Sequence, residues 1–169
     1  GPNQVLPYPM QIGSGTVDLM PGITYLGQAG NWSWGAQGMG TIRLGRNAQN
    51  YRLGNQLALT AWGARKWTKS ISTSLRLQGR ILGNNTGEDP RLAPGNQLTP
   101  PLIPTVDPDR RGGSRVDLSV GINYLAQAGF LKGFRFGVEA GLPIYQSLSG
   151  PQLENDFTIT VGVQKAFKP

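Results

Sequence analysis

Apolar and polar residues alternate along seven stretches of the chain, and nowhere does the apolar spacing settle at 3.6. A period of two sends successive side chains to opposite sides of an extended ribbon, so the pattern predicts strands. The first is expected near 14–26, with Val17, Leu19, Ile23 and Tyr25 opposing Thr16, Asp18, Met20 and Thr24. Pro21 withholds a ladder donor in its middle. The second, near 31–45, sets Trp32, Trp34, Ala36, Ile42 and Leu44 against Ser33, Gln37, Thr41 and Arg43. The third, near 50–67, opposes Tyr51, Leu53, Leu57, Leu59 and Ala61 to Arg52, Gln56, Ala58 and Thr60. Four more follow near 70–83, 115–125, 133–146 and 157–167.

One hairpin occurs twice. Residues 17–30, VDLMPGITYLGQAG, return at 116–129 as VDLSVGINYLAQAG, with ten of the fourteen positions identical. After the turn, Trp32-Ser33-Trp34-Gly35 matches Phe134-Arg135-Phe136-Gly137. Each copy therefore reads as a strand, a tight Gln-Ala-Gly turn and a returning strand opened by two aromatics. Most segments run ten residues or more. Strands of soluble proteins average about five or six residues, whereas a tilted membrane strand needs about 9–11. Connections near 27–31, 68–70 and 126–132 are short, 84–114 is very long, 147–156 is intermediate and 46–50 is brief. Short turns on one rim and longer loops on the other are the habit of outer-membrane barrels.

Composition narrows the chemistry. The 169 residues contain neither cysteine nor histidine, which removes disulfides, thiol nucleophiles and histidine-based triads. No Asp/Glu dyad or Ser–Lys pair is suggestively spaced, so the chain is not read as an enzyme, and no cofactor or metal is expected. Charged residues make up only 15% of the chain, against about 25% in a usual soluble domain. The net charge of +7 is spread over single basic residues without a stripe or recognition helix, so no nucleic-acid partner is expected. No apolar run is long enough for a membrane helix.

Charge placement suggests which face meets what. Arg43, Arg52, Arg76, Arg80, Arg115 and Arg135 all oppose the aliphatic side of their strands. An arginine at mid-depth in lipid costs about 2–4 kcal/mol, so this bias is expected if the aliphatic side touches hydrocarbon. With Asp18, Asp117 and Glu139 on the same face, these arginines form a candidate lumen with three more positive charges than negative. Such a lining pairs across strands, attracts anions, or does both. Aromatics cluster at strand ends: Tyr25, Trp32, Trp34, Trp67, Tyr124, Phe134 and Phe167 at the short-turn end, and Tyr51, Tyr145 and Phe157 at the other. Two such girdles are what bilayer interfaces select. Three positions fit less well: Asn55 would face lipid, Trp62 the lumen, and Lys165 lipid near a strand end. In loop 84–114, Glu88, Asp89, Asp107 and Asp109 lie beside Arg110 and Arg111, and the Asp-Pro pairs predict turns ahead of calcium binding.

Several motifs carry a resemblance. Residues 8–16 (YPMQIGSGT), 41–45 (TIRLG), 141–146 (GLPIYQ) and 150–154 (GPQLE) resemble the bacterial outer-membrane transporter family associated with phenol degradation. The likeness covers nearly the whole chain and corresponds to the later half of such proteins. It implies an antiparallel up-and-down transmembrane β-barrel in the bacterial outer membrane, but it carries over no binding residues. The usual terminal aromatic is displaced, with Lys168-Pro169 after Phe167.

The sequence thus predicts one β-barrel domain or fragment over 1–169, with 1–13 an irregular lead-in and 84–114 a long extracellular loop. About seven strands lie in this chain, and an even strand count requires at least one more upstream or within 1–13. The expected function is a channel or transporter passing small molecules, anions among them, through a polar, Arg-bearing lumen. Its partners are membrane lipid, a small solute, and further strands or a second copy. The alternative is a soluble or structural β-barrel binding module without transport, which would dissolve as a monomer in plain buffer.

Overall fold

The computed structural model describes residues 7–10, 12–92, 107–150, 154 and 156–165. They form one antiparallel sheet of eight strands: β1 (Val17–Leu19), β2 (Gly22–Ala29), β3 (Trp32–Leu44), β4 (Gln56–Lys66), β5 (Ile71–Leu82), β6 (Gly113–Leu125), β7 (Phe134–Leu148) and β8 (Thr158–Lys165). The spatial order is β1-β3-β4-β5-β6-β7-β8, with β2 also on β3, so neighbours in sequence are neighbours in space. Among the described residues no pairing joins β8 to β1 or β2, and their sheet is not closed.

β1 and β2 are two pieces of one ribbon. Leu19 faces Ile42 and Gly22 faces Met39 along the same edge of β3, so Met20 and Pro21 fill the interval without insertion. The Gly40 N–H still donates to the Pro21 carbonyl at 2.8 Å, but proline cannot return a bond. Counted as ribbons, the strands number seven, as the alternation predicts.

The connections separate by rim. Residues 30–31, 67–70 and 126–133 join strands on one rim, and 45–55, 83–112 and 149–157 join them on the other. The 46–50 connection expected to be brief is therefore longer, because β4 starts at Gln56 and not near residue 50. The Asn47 carboxamide gathers the N–H groups of Gln49 and Tyr51, and Asn50 takes a left-handed φ of 63°, which folds this segment into a turn. Arg52 meets Thr86 in an isolated bridge instead of a strand.

The two hairpin copies also diverge. The first turns tightly at Gly30 (φ 56°) and Asn31, as expected. The second ends its strand at Leu125 and spends residues 126–133 on a longer loop with positive φ at Gly129 and Gly133. Phe130-Leu131-Lys132-Gly133 stands where the first copy has Asn31 alone, so the shared Gln-Ala-Gly is a tight turn only once.

A bulge in the β6–β7 ladder pairs Val116 with Tyr145 and Asp117 with Pro143, leaving Ile144 as the extra residue. It returns Tyr145 to the face of Val116, where plain alternation would have sent it to the other side.

The sheet curls towards its polar side. Gly121 and Gly141 are buried there, and a Cβ on either would lie 2.6 Å from the Oγ of Ser74 or Ser119. On the apolar side, Gly63 and Gly79 have nothing within 4 Å. Side chains crowd on the inside of a curve and splay on the outside, and these four mid-sheet glycines follow that difference, whereas near the short-turn rim a Cβ on Gly27, on the apolar side, would lie 2.4 Å from the Trp34 ring.

Candidate functional site

The polar face gathers the charges that the alternation assigns to it. Arg43 on β3 lies beside Asp18 on β1, its Nε 3.7 Å from the carboxylate. Arg76 on β5 reaches across β6 to donate to Glu139 on β7. Arg115 donates from Nε to Asp117 two residues along β6, at 2.7 Å. Each of the three expected carboxylates thus holds one arginine. Arg52, Arg80 and Arg135 have no ion pair among the described residues. Arg80 sits directly opposite Arg115 in the β5–β6 register, where two like charges repel. Arg52 is the departure: it lies in the 45–55 loop and donates from Nη1 to the Arg43 carbonyl, so it belongs to the loop rim and not to a strand lining.

Cavities run along this face. At the short-turn rim one of about 520 Å³ is lined from β2, β3, β4, β5, β6 and β7, with Lys66, Lys69, Arg76 and Arg135 against the single acid Glu139. Trp62 lines it too, as its parity predicts. Mid-sheet, a space of about 240 Å³ lies among Arg76, Arg80, Arg115, Asp117 and Glu139. At the long-loop rim a third, of about 380 Å³, has Arg43, Arg111 and Asp18 in its wall. Cations outnumber carboxylates in each. Burial holds the Arg111 pKa below its ordinary value, because a charged guanidinium there loses water.

The long-loop rim is tied by a cluster that the alternation does not reveal. Tyr8 and Tyr51 meet edge-to-face at 4.8 Å, with Leu92 buried against them and Leu53 alongside. Asp89, 0% exposed, donates its N–H to the Tyr8 hydroxyl at 2.9 Å. Its carboxylate accepts from Nε and Nη2 of Arg91 at 3.0 and 2.7 Å. The Arg91 bonds hold the Asp89 pKa below the usual carboxylate range, against the opposing effect of burial, while burial pushes the Tyr8 and Tyr51 hydroxyls up. Tyr51 is 2% exposed, so it is a core residue of this cluster and not the interface aromatic expected. Asn55, expected to face lipid, instead precedes β4 and accepts the Arg43 N–H at 3.0 Å. Asp107 opens a turn at Pro108–Arg110, as its Asp-Pro pair predicts, accepting the Asp109 N–H at 2.9 Å.

The opposite face is apolar and open. Leu57, Leu75, Val120 and Val161 are 42%, 53%, 59% and 70% exposed, with Leu59, Leu77, Ile122, Val138, Leu142 and Ile159 also exposed. Of the expected interface aromatics, Tyr25, Trp32, Trp34, Trp67 and Tyr124 are exposed towards the short-turn rim, and Tyr145 and Phe157 towards the other. Phe134 is half-buried and stacks with Phe136 at 6.3 Å; Phe167 lies outside the described residues. Two cations share this face near the short-turn rim. Arg65, which pairs with Trp32 in the β3–β4 register, has its guanidinium 5.2 Å from that ring and 4.1 Å from Trp67. Lys165 lies 4.8 Å from the ring of Phe134. Arg65 was findable by parity, since it continues the series Leu57, Leu59, Ala61 and Gly63.

No protein-family model matches the chain, and neither the curated proteins nor the solved structures contain a match to it.

Proposed function

We propose that this chain is part of an outer-membrane β-barrel that passes small solutes, anions in preference to cations. The observation that carries the reading is the division of the sheet: aliphatic side chains exposed on the outer curve, arginines and carboxylates gathered on the inner one. In water, that much apolar surface would drive association; in a bilayer it needs no cover. The dimensions agree. At about 3.3 Å per residue, the 12 residues of β5 extend about 40 Å, and a tilt of about 45° brings this near the ~25 Å apolar band of such barrels. Arg65 and Lys165, drawn over aromatic rings at one rim, are placed as cations at a headgroup boundary would be. The resemblance to outer-membrane transporters associated with phenol degradation supports the same reading.

The mechanism is electrostatic and steric. An inward face whose Arg80 and Arg135 have no ion pair among the described residues raises the local concentration of anions and repels cations, more strongly where low-dielectric walls exclude water. Closure of the lumen would come from further strands, or a second copy, pairing with the edges at β1/β2 and β8 that have no neighbour among the described residues. No catalytic step belongs to this reading.

Planar-bilayer conductance under a salt gradient tests it. The expected result is a stable conductance whose reversal potential marks anions as the more permeant ions. A cation-selective reversal potential, or a chain that dissolves as a monomer without detergent, overturns it.

A further inference from the structure

On the apolar face, near the short-turn rim, an exposed cation stands between two indole rings. Arg65 lies two residues beyond Gly63 on the outer side of β4, its guanidinium 4.1 Å from the Trp67 ring and 5.2 Å from that of Trp32. The rings hold the cation in place but contain no oxygen to accept from it. Arg65 has neither an ion pair nor a side-chain hydrogen bond among the described residues. Thr73, its partner across the β4–β5 ladder, accepts the Trp67 Nε1–H at 2.8 Å. That bond occupies one lone pair of the hydroxyl and turns its proton away from the indole, and Thr73 is only half-buried. Two accessible donors therefore stand side by side. One step towards mid-sheet, a Cβ on Gly63 would have nothing within 4 Å, because the ring of Trp34, opposite it, lies over Gly27 instead. Leu75 and Val120 wall the resulting notch of about 260 Å³, with Arg65 and Thr73 at its rim end and no carboxylate in its lining. The rim around it has one sign of charge: residues 27–34, 62–74 and 121–136 hold Arg65, Lys66, Lys69, Lys132 and Arg135 and no Asp or Glu.

We infer that this notch seats one anionic phospholipid, its phosphodiester accepting from the Arg65 guanidinium and the Thr73 hydroxyl. One acyl chain lies over Gly63 against Leu75 and Val120. The planar guanidinium presents paired N–H groups that match two phosphate oxygens, and the pair is stronger where the edge of the hydrocarbon thins the water. A zwitterionic headgroup is disfavoured. The rings that would take its ammonium already hold Arg65, and the rim lysines repel a second cation. The inference rests on the part of the reading above that turns the apolar face to lipid, and it adds that one lipid is retained there by its charge.

The test is native mass spectrometry of the full chain released from neutral-detergent micelles that contain phosphatidylglycerol or phosphatidylcholine with the same acyl chains. One phosphatidylglycerol is expected to stay bound, at a lipid concentration at least about tenfold below that needed for phosphatidylcholine. Excess inorganic phosphate, which has no acyl chain for the notch, should not displace it. Arg65→Gln should weaken retention by at least about tenfold, the loss expected for a charge-assisted hydrogen bond, and Thr73→Val by roughly threefold. Gly63→Leu has room for its side chain on the outer face, so it should fold, fill the notch and weaken retention with Arg65 intact. Lys132→Gln, on the same rim but outside the notch, should leave retention unchanged. Equal retention of the two lipids, displacement by phosphate, equal losses in Lys132→Gln and Arg65→Gln, or wild-type retention in Arg65→Gln or Gly63→Leu overturns the inference. Retention in micelles requires no passage, so the two readings fail separately. An anion-selective chain that holds both lipids equally overturns the site alone. Selective retention by a chain that never conducts upholds the site while overturning the channel.

Discussion

Arg76 and Leu77 are consecutive in β5 and meet opposite surroundings: one donates to Glu139 on the inner curve, the other lies 44% exposed on the outer. Leu77→Arg puts a guanidinium on the outer face near the middle of the strand. In lipid vesicles it should cost about 2–4 kcal/mol of folding free energy. On a water-facing surface the same change is usually neutral within about 0.5 kcal/mol. Urea titration followed by tryptophan fluorescence separates the two outcomes. At the long-loop rim, Asp89 has its pKa held down chiefly by Arg91, so its contribution to stability is present above the ordinary carboxyl pKa and is lost as pH falls through the lowered folded value. Acidification below about pH 4 should therefore loosen the Tyr8–Tyr51 contact, visible in near-ultraviolet circular dichroism, and Asp89→Asn should remove that acid-dependent step. Neither Tyr51 nor Asp89 shows this role in the sequence. The alternation at Tyr51 and Leu53 is genuine, but it serves a contact with Tyr8 and Leu92, which lie far away in the chain, and strand periodicity carries no information about such partners.

At the scale of the element, alternation located every ribbon, and the misses have local causes. The third strand begins later than the alternation suggests because Asn47 and Asn50, the residues that bend the chain, lie beside an apolar alternation that continues into β4. The second Gln-Ala-Gly looked like the first because the identity ends at the residue where the loops differ in length. The interruption at Pro21 was visible, and the repeat supplies its remedy: Val120 occupies the equivalent position in the unbroken β6. Pro21 and Gly40 form the kind of pair that exchanges two bonds, of which one is made. Pro21→Val should restore the other, merge β1 with β2 and add about 0.5–1.5 kcal/mol. Hydrogen exchange at residues 20–23 should slow accordingly; unchanged exchange there would mean that proline is not what divides the ribbon.

For the molecule as a whole, the sequence could assign faces but not curvature, because parity says which side a residue takes and nothing of how tightly the sheet bends. Nor could it show which arginines are neutralised, since Arg76 finds Glu139 two strands away. The bend has its own determinants. Along β6 and β7, Gly121 and Gly141 give hydrogen atoms to the inner surface where any methyl group would press on a serine hydroxyl. On the channel reading proposed above, these two missing carbons set the width of the passage. Replacing both with alanine should force the adjoining ribbons to a gentler arc, so that neutral polymers of a size formerly turned away begin to enter and depress the single-channel current.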